Sequence, residues 1–176
     1  MILFEDGPFR ERLRANDIPV EVCPAPAGFL DTQKSGGWLS AATSIPGLTR
    51  LSGRVARRAR NYDLLYANSQ KSLFVAGLAG MWAGRPVVWN LHDMLTSARF
   101  SQFNRSSVVL YANHFTDQVI VNSEATRAAF AQTGGRSDKT TVVYNGIDAT
   151  PFRPDSSPKT RQIRDRLQLP DAPLLG

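Results

Sequence analysis

The chain has a single cysteine, Cys23, only two histidines, and no apolar run approaching the roughly 20 residues that cross a membrane. One cysteine excludes an intramolecular disulfide framework, and no His/Cys group has metal-ligand spacing, so a reducing compartment is the natural setting and Cys23 reads as a small core residue. The longest apolar stretch, 73–83, is broken by glycines, and no charged segment followed by an apolar one opens the chain. The protein therefore reads as cytoplasmic. There is no G-x-G-x-x-G after a strand, no P-loop and no G-x-S-x-G, which disfavours a dinucleotide dehydrogenase, a nucleoside triphosphatase and a serine hydrolase. Internal repeats and low-complexity tracts are also lacking.

What is present is a chain of 176 residues, 42% hydrophobic, enough for one domain with a real core and too short for two complete α/β domains. Lysine and arginine total 21 against 15 acidic residues, a net charge of +6, which favours an anionic partner. Phosphorylated substrate, anionic membrane and nucleic acid are the classes to weigh. Nucleic acid is disfavoured, because no stacking motif or basic recognition helix accompanies the charge. The excess of arginine over lysine suggests a GC-rich bacterial source.

Four short runs, 64–67, 87–91, 118–121 and 141–144, are nearly continuous in apolar character, as strands buried on both faces are. Weaker strand candidates lie at 2–4 and 19–23. Helical patterns fall between them at 8–16, 48–60, 71–83, 99–115 and 123–133, with another at 159–167. Regular alternation of strand and helix predicts an α/β fold: a Rossmann-like parallel sheet flanked by helices. The stretch 25–46, rich in Pro, Gly and Ser, reads as a long functional loop. Beyond Pro151 the composition shifts to that of a connector, and 172–176 resembles the start of a further strand.

Ligands of open parallel sheets bind outside the carboxyl ends of the strands. Reading past each good strand yields Asn68 and Ser69, then His92 and Asp93, then Asn122, Ser123 and Glu124, then Asn145, Gly146 and Asp148. Asn68 with Ser69 and Asn122 with Ser123 are also ordinary turn formers and helix caps, and Ser123 reads first as a cap. Asn145-Gly146 is a common turn dipeptide. His92 places an imidazole at the sheet edge, where it can bind a substrate hydroxyl or phosphate; the alternative is a structural histidine with Asp93 as a cap. His114, inside a helical pattern, reads as helix surface or core. Arg50, Arg54 and Arg57 share one helix face, with Arg58 adjacent, and Leu48, Leu51 and Val55 beside them offer apolar contact. That face suits a solvated surface or an anionic membrane.

The segments YDLLYANSQKSLFVAGLAGMWAGRPVVWNLHD, HFTDQVIVNSEATRAAFAQTGG and TTVVYNGIDATPFRP resemble, in order and spacing, the amino-terminal domain of family 4 glycosyltransferases of GT-B fold. The opening LFEDGPFRERLRANDIPVEV is similar to that family's second strand and helix. The resemblance implies a Rossmann-like acceptor-side domain over 1–153, without the family's first strand–helix unit. Residues 154–176 then form the interdomain linker and the start of a donor-binding domain. It implies sugar transfer from a nucleotide sugar to a glycan, lipid or small-molecule acceptor with retention of configuration, needing no metal and no cofactor beyond the nucleotide-sugar substrate. It implies His92 as the catalytic-site histidine near the acceptor and the transferred sugar. It matches Ser123 to the serine that opens the family's next helix and puts Asn145, Gly146 and Asp148 close to the donor, while the reading past the strand ends adds Asn68, Ser69, Asp93, Asn122 and Ser123 as acceptor or cleft-lining candidates. A chain limited to the acceptor side is expected to be inactive by itself. A non-enzymatic binding or membrane-docking module, peripheral at the inner membrane face, and half of a sugar-nucleotide epimerase are the rival readings.

Overall fold

The computed structural model describes residues 1–26, 38–95, 101–150 and 158–169. Residues 1–144 form one compact unit and 145–176 a second. The readings at 27–37, Arg99, Phe100, 154–157 and 172–176 lie outside the described residues.

In the first unit the chain runs β1 (Ile2–Leu3), α1 (Pro8–Arg14), β2 (Glu21–Val22), α2 (Trp38–Ala59), β3 (Leu65–Ala67), α3 (Gln70–Ala83), β4 (Val87–Leu91), α4 (Gln102–Phe115), β5 (Gln118–Val121), α5 (Glu124–Gln132) and β6 (Thr140–Val142). All neighbouring strands are parallel, as the alternation of strand and helix requires. They form a four-stranded sheet, β3-β4-β5-β6, and a separate pair, β1-β2.

The four-stranded sheet buries Val87, Trp89 and Leu91 of β4 and Val119 and Val121 of β5. These pack with Leu73 of α3, Val108, Val109 and Ala112 of α4, and Phe130 of α5 in one cluster. A second cluster joins Leu51, Val55 and Ala56 of α2 to Val75 and Ala79 of α3 and to Cys23, which is buried as its reading as a core residue requires. Burial, with Glu21 nearby, pushes the Cys23 thiol above its ordinary value. On the far side of α3, a Cβ on Gly77 would lie 2.6 Å from the Tyr111 ring, so glycine there lets α3 and α4 approach closely. The Tyr111 hydroxyl donates to the Phe74 carbonyl at 2.7 Å, and burial pushes its pKa up to about 12.

Helix ends obey local chemistry. Pro8 opens α1, where its missing N–H costs nothing, and Gly84, at φ 64°, closes α3 in the left-handed region. One expectation fails: the loop read at 25–46 gives way to helix from Trp38, and Pro46 lies inside α2. Read locally, Pro46 breaks a helix. Instead, the chain leaving β2 crosses α2 there, with Pro26 so close that a Cβ on Gly47 would sit 2.6 Å from it. The glycine makes room for a crossing segment, and the proline removes a single ladder bond without ending the helix. The second unit contains α6 (Pro158–Arg166).

Candidate functional site

The register places the polar residues that lie just past the strands. Ala67 pairs with Trp89, so Asn68, one step past β3, comes abreast of Asn90. Leu91 pairs with Val121, so His92 comes abreast of Asn122. Three strands thus deliver amides and an imidazole to the carboxyl-end edge of one sheet.

There they bond. The Asn90 amide nitrogen donates to Asn68 Oδ1 at 2.9 Å and lies 2.7 Å from His92 Nε2. His92 Nε2 is also 3.0 Å from Asn68 Oδ1. An amide nitrogen has two protons, so Asn90 serves both neighbours when Nε2 carries its lone pair and Nδ1 the hydrogen. This tautomer is the one the network fits, since an Nε2–H would point at the Asn90 amide protons across 2.7 Å.

A second chain of bonds supports His92 from β5. Asn122 Nδ2 donates to the His92 carbonyl at 3.4 Å, while Asn122 Oδ1 accepts from Thr126 Oγ1 at 2.9 Å. That bond uses the only proton of the buried Thr126 hydroxyl, so in the 2.9 Å contact between the two hydroxyls Ser123 is the donor. Ser123 Oγ also accepts from Thr126 N at 3.1 Å as the N-cap of α5. Ser69 caps α3 in a box closed by Ser72, accepting from Ser72 N at 3.1 Å while Ser72 Oγ accepts from Ser69 N at 2.8 Å. The two serines thus set the helix starts behind the edge. Asp93, next to His92, is exposed, and Leu95 is buried against the main cluster.

Asn145, Gly146 and Asp148 belong to the second unit. All three are exposed, and hydrogen bonding from the Thr150 side chain and, at 2.9 Å to Oδ1, from Thr150 N holds the Asp148 carboxyl below the ordinary carboxylate range. His114 is exposed on α4, its Nδ1 within 2.8 Å of the Leu110 carbonyl.

The arginine face needs a correction. Arg50, Arg54 and Arg57 are exposed on α2, but Arg58 pairs with Glu21 of β2 at 2.9 Å. Leu51 and Val55, read as apolar contacts for a membrane, are buried in the core at 2% and 7% exposure, because they lie on the face that packs against α3. Contact of this face with an anionic surface would rest on charge.

Among the described residues no group of three or more His, Cys, Asp or Glu is placed to hold a metal ion, and no helix is long and apolar enough to cross a membrane. Two residues of the network escape a reading of the sequence. Asn90 sits inside an apolar strand, and the one polar residue in Val-Val-Trp-Asn-Leu is the available signal. Thr126 lies within a helix and carries none.

Comparison with known proteins gives the same outline. Residues 9–150 match the family described as Glycosyltransferase Family 4. No curated protein matches the sequence. Among solved structures, Anabaena Alr3699/HepE in complex with UDP is similar, with 37% identity and a TM-score of 0.72 over 95% of this chain. The same protein with UDP-glucose, and with UDP and glucose, matches with identities of 38% and 39% and the same TM-score of 0.72. In each case the chain spans 41% of the length of HepE.

Proposed function

The chain belongs to glycosyltransferase family 4, and from that premise we propose that it supplies the acceptor-side half of an enzyme moving a sugar from a nucleotide-sugar donor to a hydroxyl acceptor, with retention of configuration. The observation that carries this reading is the joining of Asn68, Asn90, His92 and Asn122, from three parallel strands, in one hydrogen-bonded edge. Amides and a neutral imidazole suit sugar hydroxyls, which both donate and accept, better than they suit a bare anion. The likeness to HepE, solved with UDP and UDP-glucose, supports a UDP-sugar as donor.

In this reading the network ties Nε2 of His92 and leaves Nδ1 to bond a hydroxyl of the acceptor or of the transferred sugar. Asn122 fixes the backbone on which the imidazole sits. Holding the hydroxyl in place lowers the entropic part of the barrier, and a pre-set hydrogen bond costs no reorganisation when charge develops. Stabilising the leaving diphosphate falls to residues outside the acceptor side.

The test uses the 176-residue chain with UDP-glucose and a panel of oligosaccharide and lipid-linked acceptors. Saturable acceptor binding, with a Kd of about 1 mM, is expected without release of UDP. Rapid transfer by this chain alone would contradict the division of labour, and failure to bind any hydroxyl acceptor would contradict the assignment of the edge.

A further inference from the structure

Helices α2, α3 and α4 stand side by side: Leu51 and Val55 of α2 pack on Val75 and Ala79 of α3, and Gly77 of α3 lies against Tyr111 of α4. None of the three contains an aspartate or a glutamate, although the chain has 15 acidic residues. A merely solvated helix surface mixes both signs of charge. Here one sign stands alone, with Arg50, Arg54, Arg57 and Arg58 all on α2. Of these, Arg58 is the one that pairs with a carboxylate among the described residues.

The other three border an aromatic ring. Arg50, Arg54 and Arg57 lie three before, one after and four after Gly53, positions that adjoin it on a helical surface. A Cβ on Gly53 would come 4.0 Å from the Trp82 ring of α3, so the indole lies against α2 at the place those arginines border. Trp82 is 41% exposed, and Met81 beside it 57%. The apolar side chains of α2 are spent on the core, and α3 supplies the apolar part of this surface in their stead.

Arginine forks suit phosphate oxygens, and an indole, apolar in body with one polar N–H, settles at the depth of lipid headgroups. A soluble anion would engage the guanidinium groups and leave Trp82 and Met81 in water; a lipid surface takes both at once. We propose that the α2–α3 face docks on an anionic phospholipid surface, with Arg50, Arg54 and Arg57 on headgroup phosphates and Trp82 and Met81 in the interfacial layer. Trp82 lies near the carboxyl end of α3, about 18 Å along the axis from Gln70, whereas Ser69 sets the start of that helix behind the His92 edge. Docking therefore uses the far end of α3 and leaves the His92 edge open. The inference stands on the arginines and Trp82, independently of the sugar-transfer reading.

The experiment sediments the 176-residue chain with vesicles of phosphatidylcholine alone or of equimolar phosphatidylcholine and phosphatidylglycerol. Binding is expected with the mixed vesicles only, and about tenfold weaker or more in about 1 M salt, where charges are screened beyond about 3 Å. Arg50→Gln, Arg54→Gln and Arg57→Gln together should weaken it about 100-fold, at about fivefold for each arginine near the surface. Trp82→Ala should weaken it about tenfold. Removing the same charge elsewhere, by Arg12→Gln, Arg127→Gln and Arg161→Gln together, should change it less than about threefold. All six arginines are exposed, so these variants keep the core, and circular dichroism checks that they fold. No sedimentation with the mixed vesicles, equal sedimentation with phosphatidylcholine alone, or equal losses in the two triple variants would overturn the proposal.

Discussion

Trp89→Ala is expected to lower the free energy of unfolding by about 3–5 kcal/mol, the upper range for truncating a large buried aromatic. Trp89 is 0% exposed, lies in β4 opposite Ala67 and Val119, and meets the Phe130 ring edge-on with centroids 6.2 Å apart. Against a total stability of about 5–15 kcal/mol, such a loss leaves the chain marginal. The indole N–H is buried without a hydrogen-bond partner, so Trp89→Phe removes an unsatisfied donor while keeping most of the ring. Its expected cost is no more than about 1 kcal/mol. Urea unfolding monitored by circular dichroism separates the two. Equal midpoints for Trp89→Ala and the parent chain would mean that β4, which carries Asn90 and His92, is held by something other than this contact.

The second large effect is functional. In an enzyme that joins these residues to a donor-binding half, His92→Ala should cut transfer by about 10²–10³-fold, the scale for losing one pre-set hydrogen-bonding group at the reacting centre. Asn90→Leu removes the tie to Nε2 while putting an apolar residue of similar size in β4, and should cost about tenfold through a poorly placed ring. Asn90 acts as a positioning residue, so its variant must also change the imidazole itself. The His92 nitrogen signals in ¹⁵N NMR should move toward those of a ring exchanging between tautomers. If Asn90→Leu lowers transfer with those signals unchanged, the role assigned to Asn90 is wrong.

Much of this architecture is legible in the residues. Strands β4 and β5 read directly, because a sheet covered by helices demands near-continuous apolar runs, and Val87–Leu91 and Gln118–Val121 supply them. Asn68, His92 and Asn122 emerge from stepping one residue beyond the carboxyl end of each strand, since a parallel sheet delivers those positions to one edge. Asn90 escapes because a polar residue in a strand also reads as solvent-facing; only the register, which brings Asn68 from another strand, gives it a partner. Pro46 misleads, since a proline signals a helix end locally while the crossing of Pro26 over Gly47 is a tertiary matter. Leu51 and Val55 read as membrane contacts for a related reason: helical spacing shows that they share a face, and only packing shows what that face meets. The split into two sheets is equally hidden, because pairing between strands distant in sequence leaves no mark in either strand's composition.

The central claim is that the edge formed by Asn68, Asn90, His92 and Asn122 receives the acceptor sugar. The most direct measurement is a titration of the ¹⁵N-labelled 176-residue chain with an acceptor oligosaccharide, watching the three asparagine side-chain amides and the His92 imidazole. The account predicts saturable shifts at all four groups with a common midpoint, and loss of the response in His92→Ala. Saturable shifts confined to other residues, with these four unmoved, would contradict it.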